Sequence, residues 1–269
     1  MLTPCSGSYD DLLGLSSIAR RYAIHFHVDA AWGGPLIFSS LHSHLLQGIQ
    51  FSDSITVDGH KQLYTPLGIG LLLLRDAALT TVIQKTAEYI IRQRSFDSGR
   101  FSLEGSRPAS VLYLHASLSL IGPEGFDTIL TRSVSLTSQF YRRIITHPLG
   151  AFEAIHKPMS NILLYRYIPT FLRNQESLDL QVMDKINETL QSAQSTAGQG
   201  FVSRTRVRYN GQFLSVLRLV ISNPLTQWDD LQDLLNEQIR LGISIEREFQ
   251  LRQKIDQLSK VQPGWPFDL

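Results

Sequence analysis

The residues best suited to chemistry in this chain are a lysine and an aspartate that each follow a short apolar segment. Lys61 ends the sequence Asp58-Gly-His-Lys61, and Asp29 opens the glycine-rich segment Asp29-Ala-Ala-Trp-Gly-Gly-Pro35. A lysine held away from bulk water loses its charge more readily, and a neutral amine can form a Schiff base with an aldehyde. The pair therefore indicates Schiff-base chemistry, and a solvated loop lysine is the alternative interpretation.

The predicted elements place both residues at the ends of strands. Helical and strand patterns alternate over the first ninety residues, which is typical of an α/β layer structure. We predict a helix from about Tyr9 to Tyr22 and strands at Ile24 to Val28, Ser54 to Val57 and Ile69 to Leu74. Ligands in open α/β sheets bind outside the carboxyl ends of strands. Pyridoxal phosphate needs both groups there, Lys61 for the Schiff base and Asp29 for the pyridine nitrogen.

Two motifs resemble those of a known family. His27-Val28-Asp29-Ala30-Ala31-Trp32-Gly33-Gly34 and Asp58-Gly59-His60-Lys61 are similar to the central motifs of the group II pyridoxal-phosphate-dependent amino-acid decarboxylases. The resemblance continues through Ala87-Glu-Tyr-Ile90, Leu103-Glu-Gly-Ser-Arg-Pro108 and Leu217-Arg-Leu-Val-Ile-Ser-Asn-Pro224. The last two segments look most like the glutamate and diaminobutyrate decarboxylases. The resemblance implies pyridoxal 5'-phosphate as cofactor and an α-decarboxylation, a carboxy-lyase reaction, with an amino acid as substrate.

The resemblance also implies a role for each residue of the two motifs. Lys61 would form the Schiff base, and Asp29 would pair with the pyridinium nitrogen. Ala31 would pack on one face of the cofactor ring, and His60 would help to hold the phosphate. We assign no role to Asp58, because a carboxylate beside a phosphate would be repelled.

Arg218 lies within the apolar run Phe213 to Ile221, which predicts a buried strand. An unpaired buried guanidinium is costly, so a carboxylate of the protein or of a ligand must meet it. A structural salt bridge is the simpler explanation. The resemblance instead implies that Arg218 binds the substrate α-carboxylate, which a guanidinium matches with two parallel hydrogen bonds.

The fold implied by the resemblance is α/β: part of the large domain of a fold-type I pyridoxal-phosphate transferase, followed by a small α+β domain. Residues 1–108 would form the C-terminal half of the cofactor-binding large domain, 109–122 a linking helix, and 123–269 the small domain. Glu88 to Pro108 is predicted to be a long irregular loop, and loops of this length are usually functional or mobile.

Local patterns support the small domain. Met183, Ile186 and Leu190 predict a helix, and Asn210-Gly211 predicts a hairpin between strands at 201–209 and 212–221. Thr226 with Asp229 resembles a capping box ahead of an amphipathic helix.

Composition narrows the function classes. The chain has 269 residues, 43% of them hydrophobic, with a net charge of +1, which gives no reason to expect nucleic-acid or anionic-membrane binding. The longest apolar run, Leu67 to Leu74, is far shorter than the roughly 20 residues of a membrane helix. With Cys5 as the single cysteine and no H-E-x-x-H pattern, we expect no metal site. We expect a cytoplasmic protein, and a homodimer if the family arrangement is kept.

The resemblance begins in the middle of the family pattern, so the chain looks like a carboxyl-terminal portion. The preceding part of the family pattern supplies the histidine stacked on the cofactor and most of the phosphate-binding residues. A non-catalytic fragment that binds the cofactor weakly, or that pairs with a full-length relative, is therefore the alternative function. An aminotransferase or aldehyde-lyase is disfavoured by the Arg218 motif. Glutamate, aspartate, diaminobutyrate and an aromatic amino acid stay open as substrates, and the proton donor is unassigned.

Overall fold

The computed structural model describes residues 7–84, 98–101, 107–173 and 179–261. The chain divides into two compact units. The first runs from Ser8 to Ser133, and the second runs from Val134 onward and includes Gly7. Within the described ranges, no helix combines the length and the apolar character that crossing a membrane requires.

The first unit is built on a three-stranded sheet. Its elements are α1 (Leu12–Arg21), β1 (His27–Asp29), β2 (Ser54–Asp58), β3 (Gly70–Leu74) and the first part of α2 (Val111–Ile145). The strand order is β1-β2-β3, with β1 parallel and β3 antiparallel to β2. Short 3-10 helices occur at Gly34–Phe38, Ser43–Leu46, Ile49–Phe51, Ala77–Val82 and Ser98–Phe101.

Helix α1 confirms the helix predicted near the start of the chain. The Asp11 side chain accepts a hydrogen bond from the Gly14 amide at 3.0 Å, so Asp11 is the N-cap. Buried Leu12 packs with Val28 and Ala30 of the sheet region, which fixes this helix against β1.

Strand β1 is shorter than the predicted strand at Ile24 to Val28. Ala23 has a φ of 52°, and the Phe26 amide donates to the Asp53 carboxylate at 2.7 Å. The backbone therefore leaves α1 through a left-handed residue and joins the ladder only at His27, where the pairing with Ser54 begins.

Helix α2 extends well past the linking helix predicted at 109–122. Its backbone leaves the helical conformation at Gly122, where φ is 67° and ψ is 170°, and Pro123 follows. Proline removes a helical donor and glycine tolerates positive φ, so the two residues kink the helix instead of ending it. The division between the two units falls later, after Ser133.

The second unit contains a four-stranded antiparallel sheet in the order β4-β5-β7-β6. Its elements after α2 are β4 (Phe152–Ala154), β5 (Ile162–Tyr167), α3 (Leu180–Ala197), β6 (Ser203–Tyr209), β7 (Gln212–Val220) and α4 (Trp228–Val261), with a 3-10 turn at Thr170–Leu172. Side chains of β5, β7, α3 and α4 form its main hydrophobic core.

Local sequence accounts for the hairpin and for helix α3 of this unit. Asn210 and Gly211 have φ values of 49° and 83°, the pair of positive values that a type I′ turn requires, which confirms the predicted hairpin. Helix α3 carries the predicted apolar stripe and ends at Gly198. In α4 the capping carboxylate is Asp230, which accepts from the Gln227 amide at 2.8 Å. The predicted Asp229 is one residue too early, because the helix begins at Trp228 and its third residue is Asp230.

Candidate functional site

The candidate site lies at the carboxyl ends of β1 and β2. These strands are parallel neighbours with Asp29 opposite Thr56, and the Asp58 amide donates to the Ala31 carbonyl at 3.2 Å. The residues that follow both strands therefore meet at one edge of the sheet. This is the edge at which open α/β sheets bind ligands.

The backbone of the Asp58 to Lys61 turn is held at several points. The Lys61 amide donates to the Asp58 carbonyl at 3.3 Å, and the Gly59 amide donates to the Ile69 carbonyl at 2.9 Å. A Cβ atom at position 59 would come within 2.9 Å of Ile69 Cγ2 and of Thr65 Oγ1. Glycine is needed there because a side chain would collide with Ile69 and Thr65.

Lys61 is paired with a carboxylate in this turn. Its Nζ lies 2.7 Å from Asp58 Oδ2, and the two side chains are 34% and 21% exposed. Lys61 is thus only partly withdrawn from water. Sequence reasoning left Asp58 out, although opposite charges three residues apart in a turn are a recognisable signal.

His60 is oriented by the carbonyl of Ile69. Its Nδ1 lies 2.9 Å from that oxygen, and its Nε2 lies 3.8 Å from Asp58 Oδ2. Because a carbonyl oxygen only accepts, Nδ1 carries the hydrogen. Nε2 can then donate to a phosphate only when the ring is protonated.

Asp29 projects from the end of β1 with an exposed side chain. Its Oδ1 accepts from the Ala31 amide at 3.0 Å. Its Oδ2 has no hydrogen bond recorded within the described part of the chain, so it can accept one from a pyridinium N–H. Half-buried Ala31 adds a small apolar surface beside it. An amine, an available carboxylate and an imidazole at one sheet edge fit the donor set that pyridoxal phosphate requires.

The segment after Lys61 is anchored by side chains that the sequence analysis did not identify. Buried Gln62 donates to the Trp32 carbonyl at 2.9 Å, and Ser117 Oγ donates to the Leu63 carbonyl at 2.6 Å. Tyr64 has a φ of 56°, and burial raises the pKa of its hydroxyl, so Tyr64 stays neutral. A bulky residue with positive φ is unusual. No local sequence pattern signals these contacts.

His27 is engaged with hydroxyl groups of the neighbouring strand. Its Nδ1 lies 2.8 Å from Ser54 Oγ, and its Nε2 lies 3.4 Å from Thr56 Oγ1. These contacts hold the exposed imidazole against β2. Within the described ranges, the His, Cys, Asp and Glu side chains form no group of three that could hold a metal ion.

Arg218 belongs to the second unit. It lies on β7, opposite Leu164 of β5 and Ser203 of β6, and the Ser203 hydroxyl donates to its carbonyl at 3.2 Å. Its side chain is half-buried, and the predicted burial of the strand is confirmed for Leu214 to Leu217 and Leu219. The irregular loop predicted at Glu88 to Pro108 lies mostly outside the described residues.

The comparisons with known proteins agree with the two motifs. Residues 2–168 match the family model described as the pyridoxal-dependent decarboxylase conserved domain. The chain is 37% identical over 261 residues to an aspartate 1-decarboxylase of Aliivibrio fischeri, covering 93% of this chain and 47% of the relative. It is 28% identical over 249 residues to the cysteine sulfinic acid decarboxylase of Mus musculus, covering 89% of this chain and 50% of that protein.

A solved structure has the same architecture. The crystal structure of mouse CSAD superposes with a TM-score of 0.81 at 28% identity, over 90% of this chain and 50% of that one. The chain therefore spans about half the length of the relatives that it matches.

Proposed function

The chain belongs to the pyridoxal-dependent decarboxylase family, and from this premise we propose that it decarboxylates an L-amino acid with Lys61 as the Schiff-base residue. The family match confirms pyridoxal phosphate as the cofactor, and the superposition confirms the fold-type I class predicted from the motifs. The observation that supports the proposal is that β1 ends at Asp29 and its parallel neighbour β2 ends at Asp58, three residues before Lys61, so both segments leave the sheet at the same edge.

Each residue of this edge has a proposed task. Lys61 would hold the cofactor covalently, and Asp29 Oδ2 would accept a hydrogen bond from the protonated pyridine nitrogen. Ala31 would support one face of the ring, and protonated His60 would donate to the phosphate through Nε2. When bound, pyridoxal phosphate supplies an electron sink for the pair left behind as carbon dioxide departs.

Arg218 is proposed to bind the substrate α-carboxylate. A guanidinium matches a carboxylate with two parallel hydrogen bonds, and such a clamp fixes the orientation of the bond to be broken. Arg218 is half-buried in a strand whose other side chains are mainly apolar.

We propose a short acidic amino acid as the substrate class, with L-aspartate as the first candidate. Two relatives are named for aspartate and for cysteine sulfinic acid, and both compounds carry a second acidic group close to the α-carbon. Carbon dioxide release from aspartate, cysteine sulfinate, glutamate, diaminobutyrate and tryptophan would test this assignment. We expect the first two to be preferred, and preference for diaminobutyrate or tryptophan would contradict it.

The test of the Schiff-base residue is chemical fixation. The purified chain is incubated with pyridoxal phosphate, reduced with borohydride and mapped by mass spectrometry. We expect the cofactor on the peptide that contains Lys61, and none on that peptide in Lys61→Ala. Lys157→Ala is the matched control, since Lys157 is exposed and lies in the second unit.

Fixation at another lysine, undiminished in Lys61→Ala, would contradict the assignment. A folded chain that captures no cofactor at all would favour the non-catalytic alternative. The cytoplasmic location, the homodimer and the domain boundaries at 108 and 122 remain predictions.

A further inference from the structure

We propose that Asp58 is a positioning residue that holds Lys61 in an ion pair while the cofactor is absent, and that this pair must open before Lys61 bonds to the cofactor. The proposal rests on the proposed function, because it concerns the same lysine. It assigns Asp58 a task in cofactor loading that the motif alone did not suggest.

The geometry of the turn brings the two side chains together. Lys61 Nζ lies 2.7 Å from Asp58 Oδ2, within hydrogen-bond distance. Both residues belong to a backbone turn fixed by the Lys61 amide and by the contacts of Gly59 with Ile69. The turn thus directs both side chains to the same side of the sheet edge.

The charges around the pair are few. Within the described residues, the basic groups within 4 Å of the Asp58 carboxylate are Lys61 at 2.7 Å and His60 Nε2 at 3.8 Å. The lysine is the nearer partner, and the imidazole is already bound to the Ile69 carbonyl through its other nitrogen. Asp58 therefore acts mainly on Lys61.

An ammonium group held by a carboxylate has no lone pair with which to attack an aldehyde. The Lys61 ammonium must first release one proton to solvent. The amine nitrogen then bonds to the aldehyde carbon, and the aldehyde oxygen leaves as water with the two remaining nitrogen protons. Asp58 opposes the first of these changes, because its carboxylate oxygen lies 2.7 Å from the nitrogen that must release the proton.

The first experiment needs no cofactor. The full chain and Asp58→Asn, which is nearly isosteric, are labelled with trace acetic anhydride at constant pH, and each lysine is quantified by mass spectrometry. Exposed Lys157 and Lys185 serve as internal references. We expect Lys61 in Asp58→Asn to react about two- to fivefold faster relative to these references, the range of a partly exposed ion pair.

Salt provides a second measurement on the unaltered chain. Ions screen partly exposed charges, and the Debye length falls to about 3 Å at 1 M salt. The rate of Lys61 labelling in the unaltered chain should therefore rise with salt toward the rate in Asp58→Asn. In Asp58→Asn the labelling rate should not change with salt. A merely structural role of Asp58 would not produce this difference. Equal Lys61 labelling in both proteins at low salt would overturn the proposal.

Cofactor capture separates the two proposals. If borohydride fixes pyridoxal phosphate to Lys61, the initial rate of cofactor capture at Lys61 should be about two- to fivefold higher in Asp58→Asn than in the unaltered chain. Capture at an equal or lower rate, with circular dichroism unchanged, would overturn the inference and leave the proposed function intact. Faster labelling in Asp58→Asn without capture in either protein would support the ion pair and contradict the proposed function.

Discussion

The two sheets of this chain differ in how completely their neighbours cover them. All six residues of β5 in the second unit are buried. In the first unit β3 is largely open, and its Leu72 and Leu73 are 56% and 50% exposed. Sheets covered on both faces are stabilised mainly by apolar burial, so the two units should respond differently to substitution.

A continuous network of polar side chains connects β5 of the covered sheet to α3 and α4. The Tyr165 hydroxyl donates to Gln238 Oε1 at 3.0 Å, and the Gln238 amide donates to Gln194 Oε1 at 3.0 Å. The Gln194 amide continues to Glu237 Oε2 at 2.9 Å. Such buried groups are tolerated because they are paired, and they fix how α3 and α4 pack on β5.

The open sheet has its polar groups at the site edge instead. Asp29 is exposed, and Lys61, Asp58 and His60 are each partly exposed. Groups that must accept a ligand have to be reachable, which limits how much they stabilise the fold. Substitutions in the second unit should therefore lower stability, and those at the edge should change cofactor capture.

The largest expected loss of stability is in the core of the second unit. Phe140 is fully buried, with its ring centroid 5.6 Å from that of Tyr165. Phe140→Ala should lower the free energy of unfolding by about 3–5 kcal/mol, because it removes apolar contacts and leaves a cavity. Urea unfolding followed by circular dichroism measures this loss. Phe213→Ala is the control, since that ring is 62% exposed and its loss should cost less than about 1 kcal/mol.

A smaller loss is expected at the buried ion pair of the same unit. Arg166 is 4% exposed, and its Nε and Nη2 each lie 2.7 Å from Glu153 Oε2. Glu153→Gln would leave a buried guanidinium without its counter-charge, at a cost of about 2–4 kcal/mol once the partial exposure of Glu153 is considered.

The matched control is Glu188→Gln. Glu188 Oε2 lies 3.7 Å from Arg204 Nη1, and both side chains are more than one-third exposed. That variant should change stability by less than about 1 kcal/mol. Similar losses of unfolding free energy for Glu153→Gln and Glu188→Gln would contradict the expectation that burial determines how much an ion pair contributes.

Local patterns predicted the second unit well. The Asn210-Gly211 hairpin and the Met183, Ile186 and Leu190 helix depend on turn chemistry and periodicity over a few residues, and both are present. The predicted capping residue of α4 was wrong by one position, because no strong local signal marks the start of the helix at Trp228.

Tertiary contacts explain what could not be predicted in the first unit. The predicted start of β1 was wrong because the Asp53 side chain accepts the hydrogen bond of the Phe26 amide. The pairing with β2 therefore begins only at His27. The motifs located Lys61 and Asp29 at one sheet edge, but the partner of Lys61 was missed. A carboxylate three residues before a lysine in a turn also permits an ion pair, and the structure places the two groups 2.7 Å apart.

The smallest expected effect on stability is at that ion pair. Lys61 and Asp58 are 34% and 21% exposed, so water already solvates much of both charges. Asp58→Asn should therefore change the free energy of unfolding by less than about 1 kcal/mol. Hydrogen exchange at the Gly59 and Thr65 amides, which donate to the Ile69 and Gly59 carbonyls, would report any loosening of the turn. Because Glu153→Gln makes the same acid-to-amide change at a buried pair, an equal loss for Asp58→Asn would mean that the site edge is as stabilising as the covered sheet, and the contrast between the two units would fail.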